Sequence, residues 1–162
     1  TFEVNDASGV AGGPNGWDLF STSGDLYLGA SAAFDPIVLN ISTLTGTSAG
    51  QAANFVSTFN YAWKFAVAGS EIGTFNRDWF NVVATNFQNS HAGQFYVARG
   101  DELNSTNLPN FSGGTSSELY VVYASIPEPS TLVLAACGLA GLSVMARRIR
   151  TRRSAAKRDR RA

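Results

Sequence analysis

Sixteen consecutive residues without a charge, Thr131 to Ala146, are followed at once by Arg147, Arg148, Arg150, Arg152 and Arg153. An apolar run of that length has few places to go. As an α-helix it rises roughly 24 Å at about 1.5 Å per residue, against a hydrocarbon core of about 30 Å, a shortfall that bilayer thinning or snorkelling of the first arginines makes up. A buried core helix is the competing reading, but the run has no polar face and only basic sequence follows it. A single carboxyl-terminal transmembrane helix is therefore expected. Before it, Pro127 and Pro129 disfavour helix and keep the chain extended, and Ser130 takes the position of an N-cap.

Charge orients this helix. Residues 147–162 carry nine Lys or Arg and one Asp, a net +8, while the rest of the chain sets Lys64, Arg77 and Arg99 against eleven acids, a net −8. The neutral total thus hides two opposed halves. Basic residues beside a membrane helix stay cytoplasmic, which puts residues 1–125 outside and makes membrane lipid a partner of the helix. A basic run can also read as a nucleic-acid tail. Directly after an apolar helix it reads as a transfer stop, and no nucleic-acid partner is expected.

Pro127-Glu128-Pro129, then Ser130 and Thr131, an apolar helix and an arginine-rich end together resemble the PEP-CTERM sorting domain of bacterial exported proteins. The resemblance covers Ile126 to Arg153 and leaves 154–162 as a basic cytoplasmic tail. It implies a sorting role for Pro127, Glu128 and Pro129, and a partner in an exosortase-type membrane protease that cuts near them and passes the body to the cell surface. The same tail is also known as an ice-binding protein C-terminal domain, a name that brings no ice chemistry to the body. Proteins of this family normally start with a signal peptide. The present chain opens Thr1-Phe2-Glu3-Val4, without initiator Met, basic n-region or apolar h-region, so an incomplete or processed amino terminus is expected.

Residues 1–125 suffice for one domain. Their local signals are mostly β and turn. The single cysteine, Cys137, falls in the apolar run, which leaves the body without disulfide, cysteine metal site or cysteine nucleophile. Alternation and β-branched or aromatic enrichment predict strands over 1–4, 36–42, 61–68, 79–85, 94–98 and 118–125, with a hairpin from 17–21 to 25–29 around Ser21-Thr22-Ser23-Gly24. Asn5 to Gly16, with five glycines or prolines, reads as a loop. Ala52, Phe55, Val56 and Phe59 recur at helical spacing, so a short helix or turn is expected within 49–59. About eight short strands with Gly- and Asn-rich turns predict a mainly β body, a β-sandwich or jelly roll.

Catalytic signals are sparse. His91, the only histidine, lies in the turn-like Asn89-Ser90-His91-Ala92-Gly93, and no Gly-x-Ser-x-Gly elbow frames a nucleophile. Asp101 and Glu102 are chain neighbours rather than a facing pair. Oxygen-rich loops offer two partial calcium sets, Asp6, Asn15 and Asp18, and Asp101, Glu102 and Asn104. Each falls short of six to eight ligands, and ordinary turn capping accounts for the same residues. No other cofactor is expected. Thr43, Thr45 and Thr47 alternate but make a single row in a polar connection, and Arg99-Gly100-Asp101 is an adhesion tripeptide of chance length.

The expectation is a non-enzymatic surface or matrix protein whose body is a structural or polysaccharide-binding module. A secreted hydrolase with a β-sandwich fold is the alternative. Trp63 and Trp79, placed within strands, are expected in the core, and Trp17, beside a Gly-rich loop, is the candidate sugar-stacking residue.

Overall fold

The computed structural model describes residues 1–126 except 33, 104–107, 109, 110 and 112. The expected membrane helix, the motif Pro127, Glu128, Pro129, the arginines Arg147, Arg148, Arg150, Arg152 and Arg153, and the candidate ligand Asn104 lie outside the described residues. Among the described residues no helix is long and apolar enough to cross a membrane.

The chain is mainly β. Among the described residues eight strands run in order: β1 (Phe2–Val4), β2 (Phe20–Ser21), β3 (Ile37–Thr45), β4 (Ser48–Ala49), β5 (Tyr61–Val67), β6 (Phe80–Asn86), β7 (Gln94–Arg99) and β8 (Glu118–Ala124). Two short 3₁₀ turns, Arg77–Trp79 and Gly100–Glu102, precede β6 and follow β7. In the first sheet β3 pairs in parallel with both β1 and β6 and folds back on β4. Gly46 makes that turn possible, because its φ of 67° lies in the left-handed region that a side chain disfavours. In the second sheet the order is β2, β5, β8, β7, with β2 parallel to β5 and both pairs of β8 antiparallel.

Parallel pairing needs a long connection, and here each connection contains a strand of the other sheet. Between β1 and β3 the chain lays down β2; between β3 and β6 it lays down β5. Side chains from both sheets then meet in one core. Phe2, Val4, Ile41, Trp63, Val121 and Tyr123 are buried together, with Leu39, Val82, Ala84 and Phe95 packed against them. Alternation explains the choice on β3, where Leu39 and Ile41 turn inward and Val38 and Asn40 outward. On β5 a bulge between Lys64 and Ala66 resets the alternation, so Ala66 joins Leu119, its partner on β8, in a second apolar cluster under Leu26 and Ile72.

Trp63 is the hub. Its ring stacks on Tyr61 at 5.2 Å, lies near Phe55, Phe87 and Phe95, and its indole N–H donates to the Ala7 carbonyl at 3.0 Å. Aromatic pairs of this kind contribute about 0.5–1.5 kcal/mol each beyond the area they bury.

Three local expectations are overturned, and one that was left open is decided by the fold. No hairpin forms around residues 21–24: β2 pairs with Ala66 and Val67 instead, and Leu26 bridges to Ile72, because Leu26 and Leu28 find apolar cover there. Within 49–59 the expected helix or turn is realised as turn, the Phe59 N–H donating to the Val56 carbonyl, and not as helix. Asn89 grips both backbone groups of Ala52, the Ala53 N–H and carbonyl go to Asn5 and Ala7, and the Tyr61 hydroxyl takes up the Val56 N–H and the Asn54 carbonyl. The polar connection expected after Ser42 is strand as far as Thr45, with Thr43 buried and its hydroxyl accepting from the Gln88 N–H at 2.7 Å. Trp79 ends a 3₁₀ turn and is half-buried outside the apolar clusters, since the strand starts only at Phe80.

Candidate functional site

β8 carries the body to its junction with the tail. It lies between β5 and β7, and Val121, Val122 and Tyr123 have no exposed surface. The Tyr123 hydroxyl donates to the Ser57 carbonyl at 2.9 Å and accepts from the Gly93 N–H at 3.0 Å. Gly93 has to be glycine: a Cβ there would collide with the Ala124 carbonyl and the Tyr123 ring. Beyond the last paired residue, Ala124, the side chain of Asn60 takes over, its Oδ1 accepting from the Ser125 N–H at 2.8 Å and from the Ser125 hydroxyl at 2.9 Å. Ile126 is then 53% exposed.

Asn60 also lines a cleft of about 370 Å³ with Thr58, Phe59, Tyr61, Leu108 and Phe111. Phe59 is 60% exposed, which for a phenylalanine in a loop leaves a ring face to solvent. Leu108 and Phe111 cover the outer face of the second sheet, packed with Tyr120, Val122 and Ala98. This cleft could not be read from the sequence, because residues near 59 and near 110 meet only through the sheet between them. The one local hint was Phe59 itself, an aromatic outside any alternating run.

Trp17 is half-buried against the main core, and its indole N–H donates to the Lys64 carbonyl at 2.9 Å. Asp6 and Asn15 come together at a second cleft of about 260 Å³, with Asn5, Thr45 and Gln51. The Asp6 carboxylate accepts from the Ser8 N–H and from the Asn54 amide, while Asp18 turns to the Glu3 N–H at 2.9 Å. Asp101 is forked onto Arg99 at 2.6 and 3.0 Å, and that contact raises the Arg99 pKa. With Gly100 buried between them, Arg99 and Asp101 close on one another rather than project as an adhesion loop. Glu102 is exposed in the same turn. Among the described residues no three His, Cys, Asp or Glu gather as metal ligands would.

His91 is half-buried, its Nδ1 2.9 Å from the Asn89 carbonyl and its ring edge-on to Phe87, Phe95 and Tyr123. The acid–base network that does form is on the outer face of the second sheet. Glu118 accepts from Lys64 at 2.7 Å, from the Thr115 N–H and from the Tyr120 hydroxyl. Burial alone would raise the Glu118 pKa, but those three hydrogen bonds and the Lys64 charge outweigh it and hold it below the ordinary value. Tyr120 is pushed up by burial and by the neighbouring carboxylate. The group ties β5 to β8.

No curated protein and no solved structure matches the chain. Residues 125–150 match the PEP-CTERM protein-sorting motif, a match that begins at the residue after β8 ends. Signals of this kind are processed by exosortase, a membrane protein, and mark secreted, envelope-associated proteins. The chain is thus a mainly β body with a PEP-CTERM sorting motif joined directly to its last strand.

Proposed function

We propose that this is a non-enzymatic surface or extracellular-matrix protein, whose body is a β-sandwich acting as a structural or polysaccharide-binding module. The observation that carries the reading is the sorting motif at 125–150, set immediately after β8. In this reading the run from Thr131 to Ala146 spans the membrane and the body lies outside. The arginines from Arg147 to Arg153 stay cytoplasmic, since each would cost about 2.5–3.5 kcal/mol at the bilayer centre. An exosortase-type protease cuts near Pro127, Glu128 and Pro129, and the helix and basic tail are lost from the mature surface form.

The body's role rests on its aromatic surface. Exposed aromatic ring faces suit the apolar faces of sugar rings, and the cleft supplies one in Phe59, beside the half-buried Phe111, with the exposed part of Trp17 as a separate contact. The engagement of His91 by a carbonyl and three aromatic rings favours binding over the alternative, a secreted hydrolase.

Intact-mass spectrometry of the surface form tests the sorting part. A carboxyl end near residues 126–129 is expected, and peptides from 151–162 still joined to the body would refute it. Polysaccharide pull-down tests the body: Phe59→Ala should lose binding with an unchanged melting temperature, and binding that survives both Phe59→Ala and Trp17→Ala would remove the aromatic surface from the proposal.

A further inference from the structure

The junction between body and tail is held by one side chain from 65 residues upstream. Asn60 directly precedes β5, and its amide oxygen receives both donors of Ser125, one residue past the last backbone pair of β8. The orientation of that amide is dictated by the contact, because a backbone N–H needs an acceptor and only Oδ1 can serve. Just behind it, Tyr123 is fully buried and hydrogen-bonded to Ser57 and Gly93, so the strand opens no further back without opening the core. Ser125 is also the first residue of the matched sorting motif, and Ile126 is exposed. Folded chain and sorting signal therefore overlap at one clamped residue.

A protease binds its substrate as an extended strand and needs several free backbone groups around the bond it cuts. Before Ile126 those groups are taken by β5 as far as Tyr123, by β7 as far as Ala124, and by Asn60 at the Ser125 N–H. We propose that Asn60 is a positioning residue for sorting: by clamping Ser125 it sets the upstream limit of cutting, so the mature body keeps Ser125 and ends at one defined residue at or beyond it. The inference rests on the sorting reading above and adds to it a body residue that determines where the cut falls. Without the clamp the end of β8 frays, and bonds around Ala124 and Ser125 enter the reach of the protease.

Two measurements on the full-length chain test this. Hydrogen exchange in detergent micelles reads the Ser125 amide in wild type, Asn60→Ala, Asn60→Asp and Ser125→Ala; mass spectrometry of the surface form, from a bacterium that expresses an exosortase, reads the carboxyl-terminal residue. Asn60→Ala is expected to speed Ser125 exchange roughly tenfold and to yield ragged ends reaching upstream of Ser125. Asn60→Asp keeps the acceptor and should restore both readouts. Ser125→Ala, which leaves the body intact and removes one of the two bonds, should shift both in the same direction by less. Unchanged exchange in Asn60→Ala, or a wild-type end upstream of Ser125, would overturn the proposal. A cut chain with an unshifted end in Asn60→Ala overturns this role alone, whereas a wild-type chain found uncut on the surface overturns the sorting reading and this role with it.

Discussion

Replacing Trp63 by phenylalanine separates its two contributions, ring packing and the buried hydrogen bond. Trp63 is 1% exposed, and its indole N–H is the donor to the Ala7 carbonyl. Phenylalanine keeps a ring against Tyr61 and Phe95 but leaves a void of roughly one water's volume, about 30 Å³. At about 24 cal/mol per Å³ that void costs about 0.7 kcal/mol. The Ala7 carbonyl, now unpaired away from solvent, adds about 1–3 kcal/mol. Trp63→Phe should therefore cost about 2–4 kcal/mol, a large part of a typical stability of about 5–15 kcal/mol. Trp17→Phe is the control. It deletes an equivalent bond, to the Lys64 carbonyl, at a half-buried position where water can replace the donor, and about 0.5–1.5 kcal/mol is expected. Urea unfolding of residues 1–126, followed by circular dichroism and compared at equal slope, measures both. A Trp63→Phe cost under about 0.5 kcal/mol, or one smaller than that of Trp17→Phe, would refute the reasoning.

Gly93→Ala forces a methyl against the Ala124 carbonyl and the Tyr123 ring, and should lower stability by about 1–3 kcal/mol, seen as a fall in melting temperature. Glu118 titrates below its ordinary value in the folded state, so its contribution to stability is present above the unfolded carboxylate pKa and is lost as pH falls through the folded value. Wild type should thus exceed Glu118→Gln in urea midpoint at pH 7 and approach it as pH falls below the ordinary carboxylate range, and parallel curves from pH 7 into acid would show that the Lys64–Glu118 contact adds nothing.

How far the sequence discloses this molecule depends on the range of the forces at each place. Strands β3, β5, β7 and β8 are legible because their enrichment in β-branched and aromatic residues is a local signal, and on β3, which alternates inward and outward residues, one register buries the apolar set. The sorting motif is legible for the same reason, as prolines, apolar run and arginines are contiguous. Residues 49–59 are not, because Ala52, Phe55, Val56 and Phe59 carry helical spacing while their backbone groups bond to Asn89, Asn5 and the Tyr61 hydroxyl. Of that apparent face only Ala52 and Phe55 turn toward the core; Val56 and Phe59 are exposed. Parallel pairing of β1, β3 and β6 likewise leaves no local trace, since it follows from the chain switching sheets between them. At the candidate site, Phe59 lies 52 residues from Phe111, and no spacing rule joins them or joins Asn60 to Ser125.

The place of β8 in the fold bears on when the tail can be removed. It is the last strand among the described residues, yet it lies inside its sheet and supplies Leu119, Val121, Val122 and Tyr123, each at most 1% exposed. Burial of such side chains contributes about 1.5–3 kcal/mol apiece, so their loss removes a sum comparable to a whole domain's stability of about 5–15 kcal/mol. A chain ending at Ser116 should be unfolded, with no cooperative melt and a collapsed amide proton spectrum, whereas a chain ending at Ile126 should melt as one transition. Cooperative folding of the shorter chain would show that β8 is dispensable and break the argument. With β8 required, the body cannot close its core until residue 124 is in place, and the sorting motif starts at residue 125. Under the function proposed above, a tail that holds the chain at the membrane while that strand inserts, and is cut only beyond it, releases a body whose core is already complete.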